Sequence, residues 1–362
     1  MDVCYLINSL GPGGAPTLLL NLVRELDGPN MDFTVTFIEG DNTLAEEFKK
    51  SGARVVDFDA NFKFDPRALW RMASFFSRES FDVIHTHLPY AQTLGRIFSL
   101  FGDHKAVVST QHNFAHHFHP ITRTTEKLTR RIDDTTIAVS KAVKSSFFPN
   151  QDSHPWEIIY NGVDVSGIME DLEDVNESDV RKQLGIPIDS HIFLNVGRLV
   201  KEKSQNDLIK AIANMENRDA YLLVVGWGPK KRELQQLAAE ENISHRVVFT
   251  GKKLDVFPYY AVADTFVSTS TIESFGIVLV EAMVAGLPII ATDVAGSSEV
   301  LNQARSGVQR IPPNSPDELV GYLDFSMSNS IDTGYEEALE KFDIKTIANS
   351  HLELYSNLIE RA

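Results

Sequence analysis

Short runs of apolar and β-branched residues alternate along this chain with longer stretches of helical period, and the alternation restarts after residue 190. The first series of runs lies at 3–8, 33–38, 55–58, 83–86 and 106–110, with helical patterns such as 17–25 and 66–78 between them. The second lies at 192–196, 221–225, 247–250, 265–268 and 288–292. Strand and helix in strict alternation is the pattern of a parallel sheet with helices on both faces, because parallel neighbours need a crossover. Two such series in 362 residues predict an α/β chain of two Rossmann-like, doubly wound domains facing a central cleft. The expected division is 1–165, 166–343 and a terminal helix, 344–362, packing back on the first domain through Ile347, Leu352, Leu354, Tyr355 and Leu358. The acidic stretch 164–185, with Glu170, Asp171, Glu173 and Asp174, reads as an exposed linker or a loosely packed helix.

Composition excludes several classes. The net charge of −16 disfavours nucleic acid, whose phosphates need accumulated Lys and Arg. No apolar run approaches the roughly 20 residues that span a bilayer. The first residues carry no basic leader before their apolar stretch and read as a strand, not a signal peptide. The single cysteine, Cys4, leaves no internal disulfide framework, which fits a cytoplasmic protein. One segment runs against the overall acidity. Arg123, Lys127, Arg130, Arg131, Lys141 and Lys144 outnumber Glu126, Asp133 and Asp134, with Phe114, Phe118, Phe147 and Phe148 at the flanks. Such a patch suits an anionic bilayer surface, and equally an ordinary exposed helix.

The polar motifs fall just after the strand runs, where open α/β sheets bind ligands. Gly11-Pro12-Gly13-Gly14 precedes a helix, and glycine there allows close approach of an anion to the helix N-terminus, although a plain turn has the same look. Pro16 occupies the third glycine position of the dinucleotide fingerprint, Lys231 does so after Gly226-Trp227-Gly228, and no P-loop is present. Arg198 and Lys203 follow the first strand of the second series, a cation pair suited to a diphosphate, although a solvated loop has the same composition. Glu273 and Glu281 stand eight apart around Ser274-Phe275-Gly276, two carboxylates suited to hydroxyls at two places on one ligand. Dipole-favoured acidity at a helix start accounts for Glu273 but not for Glu281, which is set in an apolar run two turns into the expected helix. His85 and His87 share a strand face, and His112 follows the next strand; without cysteine or zinc-type spacing they do not read as a metal site. Asp57-Phe58-Asp59 has a metal-holding form but reads as structural.

Taken in order, these pieces resemble the retaining GT-B glycosyltransferases of family four, the glycosyl transferases group 1. The carriers are Gly13-Gly14, His85-Thr86-His87, Thr110-Gln111-His112-Asn113, Ala138-Val139-Ser140 and Tyr160-Asn161-Gly162-Val163-Asp164, then Val196-Gly197-Arg198-Leu199 with Lys203 and Val225-Gly226-Trp227-Gly228-Pro229. The most specific is Glu273-Ser274-Phe275-Gly276 through Glu281-Ala282-Met283, followed by Ala285-Gly286-Leu287-Pro288 and Gly296. The resemblance implies a hexosyltransferase with a nucleotide-sugar donor, a UDP-sugar on frequency, and a lipid-linked or saccharide acceptor. It implies no metal and no cofactor. Arg198 and Lys203 would grip the diphosphate, while Glu273, Ser274 and the backbone of Phe275 and Gly276 would hold the sugar. Glu281 would hold the ribose, His112 would reach the sugar, and Gly14 and Gly228 would give the donor room. Lys203 and Glu273 are then expected to fail in different ways, Lys203 through the leaving diphosphate and Glu273 through sugar orientation. Ala15-Pro16 departs from the family's Glu after the glycine pair, and Ser204 from its Gly. A nucleotide-sugar epimerase on the same architecture and a non-catalytic sugar-nucleotide-binding protein are the competing readings. The implied location is cytoplasmic, at the inner face of the membrane if the basic segment binds lipid.

Overall fold

A computed structural model describes residues 1–147 and 154–362; Phe148 of the basic segment lies outside them. The chain forms two compact units, Met1–Val163 with Asp343–Ala362, and Asp164–Phe342.

The first unit is built on seven parallel strands: β1 (Asp2–Ile7), β2 (Asp32–Glu39), β3 (Arg54–Ala60), β4 (Ser80–His87), β5 (Asp103–Gln111), β6 (Thr135–Ala138) and β7 (Trp156–Ile158). Their spatial order is β3-β2-β1-β4-β5-β6-β7. The chain therefore winds outward in one direction from β1 and in the other from β4, and the switch falls between those two strands. β1 is buried on both faces, as its near-continuous apolar run requires, and β4 is buried from Val83 to His87 although that stretch carries the polar His85, Thr86 and His87. Helix Gly14–Leu26 buries Leu18, Leu19, Leu22 and Val23 on the sheet. Helix Ile344–Ile359 starts where the Asp343 carboxylate accepts from Lys345 N at 2.7 Å. It buries Ile344, Ile347, Ala348 and Tyr355 in the same core as β1, β4 and β5. Gly162 makes room for it, since a Cβ there would lie 2.9 Å from Ile347.

The second unit has six parallel strands: β8 (His191–Val196), β9 (Ala220–Val225), β10 (Val247–Gly251), β11 (Thr265–Ser268), β12 (Ile289–Thr292) and β13 (Val308–Ile311). They are ordered β10-β9-β8-β11-β12-β13, which puts its switch between β8 and β11. Of the two readings of the stretch 164–185, linker or helix, the helical one holds. The stretch forms helices Val165–Glu173 and Glu177–Leu184 of this unit, capped by Asp164 and Asn176 and closed by the left-handed Gly185. Arg181 is buried beneath them, donating to the carbonyls of Ile188, Ser190 and Val262. The acids of this stretch are the solvent faces of packed helices.

The basic segment also differs from its reading as a single patch. Arg130 is buried and bonded to Glu126 one turn earlier, at 3.1 Å, and Phe114 is buried in the interior. What faces solvent on and after helix Pro120–Thr129 is Arg123, Lys127 and Arg131 with Ile121 and Leu128. Asp59 is exposed and paired with Arg71 at 3.1 Å, and no helix among the described residues is long and apolar enough to cross a membrane.

Candidate active site

Two loops leave the carboxyl ends of β8 and β11 at the switch of the second unit, and their backbones are tied together. Thr271 N donates to Glu202 O at 2.8 Å, and the Thr269 hydroxyl donates to the carbonyls of Lys203 and Ser204 at 3.0 and 2.9 Å. Ser204 is left-handed, at φ 44°, which explains why glycine would suit it. These ties bring Lys203 and Glu273, 70 residues apart, into a half-buried ion pair of 2.5 Å. An ammonium has three N–H donors. The pair with Glu273 occupies one, which leaves Lys203 able to bond a second anion while held in place. Arg198 is exposed on the same β8 loop, and its guanidinium has no acidic partner among the described residues.

The Glu273 loop is seated from two sides. Phe275 is buried and meets the Phe342 ring edge-on at 5.4 Å. A Cβ on Gly296 would fall 1.9 Å from the Glu273 carbonyl, so helix Ala295–Leu301 can lie against the loop only with glycine there. Gly276 is left-handed at φ 90°, and the following helix starts at Ile277, not at Ser274. Glu281 is thus just over one turn in. Its carboxylate accepts from the Tyr260 hydroxyl at 2.7 Å, and burial raises its pKa against that bond. Tyr260 supplies the local reason for an acid in an apolar run that the sequence reading did not find.

Gly226 and Gly228 have a packing role. Cβ atoms on them would fall 1.9 Å from the Gly197 carbonyl and 2.3 Å from that of Leu199. The β8 and β9 loops touch backbone to backbone here, with Gly197 N bonded to Val225 O and Leu199 N to Trp227 O, both at 2.9 Å. Gly228 therefore sets the course of the loop that carries Arg198. The indole of Trp227 is exposed, with Lys252 Nζ 5.8 Å from its ring centre.

In the first unit, Gly13 and Gly14 precede and open helix Gly14–Leu26, and a Cβ on either would meet nothing within 4 Å. Packing within the chain does not require these glycines. Pro16 breaks no helical bond, because the first one runs from Thr17 N to Gly13 O. His112 stands at the carboxyl end of β5, half-buried, with its Nε2 3.1 Å from His87 Nδ1 on β4. Burial first, then the nearby His351, lowers the His112 pKa to about 4. His85 lies deeper and is satisfied on both nitrogens, by Tyr355 and Thr110. Among the described residues no group of three His, Cys, Asp or Glu is placed to hold a metal ion. Lys203, Glu273, Arg198 and Gly228 thus gather in one unit with Glu281 on the adjoining helix, while His112 and Gly14 belong to the other.

Two family models match the chain in succession, Glycosyltransferase Family 4 over residues 12–166 and Glycosyl transferases group 1 over 176–345. An uncharacterized glycosyltransferase of Methanocaldococcus jannaschii, MJ1607, is 27% identical over 78% of this chain and 77% of its own length. The N-acetyl-alpha-D-glucosaminyl L-malate synthase of Bacillus anthracis is 30% identical over 66% of this chain and 63% of its own. Among solved structures, Alr3699/HepE of Anabaena in complex with UDP-glucose superposes with a TM-score of 0.86, at 24% identity, over 99% of this chain and all of that one. That likeness shows the GT-B fold.

Proposed function

The chain belongs to the glycosyl transferases group 1 family, and from that premise we propose that it moves a hexose from a UDP-sugar to a lipid-linked or saccharide acceptor, with retention and without a metal. The observation that carries this reading is the Lys203–Glu273 pair at the switch point of the second sheet, with Arg198 on the same β8 loop and without an acidic partner among the described residues. The bond from the sugar's anomeric carbon to the diphosphate oxygen breaks, and its electron pair stays on the diphosphate. Arg198 and Lys203 meet that growing charge, which is stabilisation aimed at the transition state. The acceptor oxygen bonds the same face of the anomeric carbon and passes its proton to the departing diphosphate. Glu273 holds the sugar with Ser274 and the Phe275 and Gly276 backbone, Glu281 the ribose, and His112 a sugar hydroxyl. The unfilled space at Gly14 admits the phosphates or the acceptor. HepE in complex with UDP-glucose supports the choice of base.

The epimerase reading needs acid and base groups aimed at one sugar carbon. Lys203 and Glu273 instead engage each other, and the non-catalytic reading leaves that paired site without a use. The exposed Ile121 and Leu128 beside Arg123, Lys127 and Arg131 support peripheral contact with the inner membrane face, worth about 1 kcal/mol per basic residue. The test of the donor is a thermal-shift panel. UDP at one hundred times its Kd should add about 2.7 kcal/mol, with GDP and ADP lagging. Equal shifts from all three would remove the UDP assignment, and no shift from any would remove the donor site.

A further inference from the structure

His87 takes no part in the reaction as proposed, and its surroundings leave it one role. It closes β4 with its side chain wholly buried. Nδ1 lies 3.1 Å from His112 Nε2, and its own Nε2 has no partner among the described residues. His85, two residues earlier, is different. The Tyr355 hydroxyl stands 2.6 Å from its Nδ1 and the Thr110 hydroxyl 2.7 Å from its Nε2, so both nitrogens are met whichever carries the proton.

Burial holds His87 and His112 neutral, so a single proton lies between them and the bond has two arrangements. If His112 donates, the proton of His87 sits on Nε2, a buried N–H with nothing to receive it. If His87 donates, its Nε2 is a bare lone pair and His112 carries its proton on Nδ1. Orphaned buried donors are rarer than under-satisfied acceptors, so the second arrangement prevails. The tautomer of one ring follows from the bond made by its other nitrogen.

We propose that His87 is a positioning residue that fixes His112 as the Nδ1–H tautomer, so that His112 presents a hydrogen-bond donor, and not a lone pair, at the carboxyl end of β5. The His112 Nδ1 has no bond within the described chain, which leaves that donor for a ligand. It matches an acceptor oxygen, which on the reading above is a hydroxyl of the donor sugar. A general base would need the lone pair outward, so His112 does not take the acceptor's proton. This inference rests on the donor-site reading only for the identity of that oxygen.

The test uses the full chain labelled with 15N-histidine and long-range proton–nitrogen correlation, the His112 signals being those lost in His112→Asn. The parent should show His112 protonated on Nδ1 and bare on Nε2. His87→Asn, which places an N–H near the former Nδ1, should keep that pattern. His87→Leu should return His112 to the Nε2–H form that a free side chain prefers. With UDP-glucose as the donor, His87→Leu should lower kcat about tenfold, the scale of one hydrogen bond, with KM little changed and His87→Asn close to the parent. An Nε2–H His112 in the parent, or an unchanged tautomer in folded His87→Leu, would overturn the proposal. If His87→Leu does not fold, the parent and His87→Asn spectra decide it. If the tautomers are as stated but His112→Asn transfers sugar at the parent rate, the sugar contact is wrong and the tautomer assignment stands.

Discussion

Arg96 and Asp133 meet at 2.7 Å in the first unit, and Lys203 and Glu273 at 2.5 Å in the second. The distances are alike and the surroundings are not. Both side chains of the first pair are fully buried, while those of the second retain 23% and 15% of their exposure. The Asp133 carboxylate also accepts from the Ser109 and Thr136 hydroxyls at 3.0 Å each, and Arg96 reaches Thr129 at 3.2 Å. Every direction around that pair is filled by the fold. Around Lys203 the fold supplies one carboxylate and leaves other donors facing outward. A charge whose partners are all internal can only hold structure; a charge with donors to spare can exchange or share them with a ligand.

The largest effect that would break this comparison is on stability. Arg96→Met leaves Asp133 buried without its cation and should cost about 3–5 kcal/mol in chemical denaturation. A loss under 1 kcal/mol would mean that water reaches the site and that the contrast in enclosure is wrong. The next effect sharpens it through pH. Burial lowers the pKa of His112 and of His351 to about 4, and those of His85 and His87 well below the ordinary value, all four in the first unit. Their unfolded values lie near 6.5, so the unfolded state binds protons first as pH falls. Stability should therefore be complete above about pH 6.5 and decline from there towards pH 4, by on the order of 3 kcal/mol for a buried histidine such as His351. A stability curve flat through that window, followed by urea denaturation, would show that the cluster is hydrated. The smallest effect lies at the second pair. Ser204→Gly relieves a left-handed serine and should stabilise the protein by about 1 kcal/mol without moving Lys203. A destabilised variant would mean that the Ser204 hydroxyl holds the loop.

The sheets were readable because parallel strands buried on both faces are largely apolar, and β1 and β9 keep that pattern. The loops that carry the candidate residues were readable for the same reason, since they follow strand ends. What the sequence hid depends on separation. Nothing local announces that Lys203 bonds Glu273 or that Tyr260 bonds Glu281. Gly296 is a similar case, a glycine whose reason is a carbonyl of another loop. Two stretches left open between alternatives had deciding signals within reach. Asp164, Asn176 and Gly185 are cap residues that mark helices in the acidic stretch. Glu126 and Arg130, one helical turn apart, could have been read as a pair and not as free surface charge.

The central claim is that the Lys203–Glu273 pair is the reacting end of a donor site, and steady-state turnover of UDP-glucose tests it most directly. Lys203→Ala should reduce kcat by roughly 10²–10³, the loss seen when one preorganised charge-stabilising group is removed. Stability should change by no more than about 1 kcal/mol, since the pair is partly solvated. Glu273→Gln should also lose turnover, and the losses of the double variant should be less than additive, because the two side chains are bonded to each other. Parent-level turnover by Lys203→Ala in a folded protein would contradict the account.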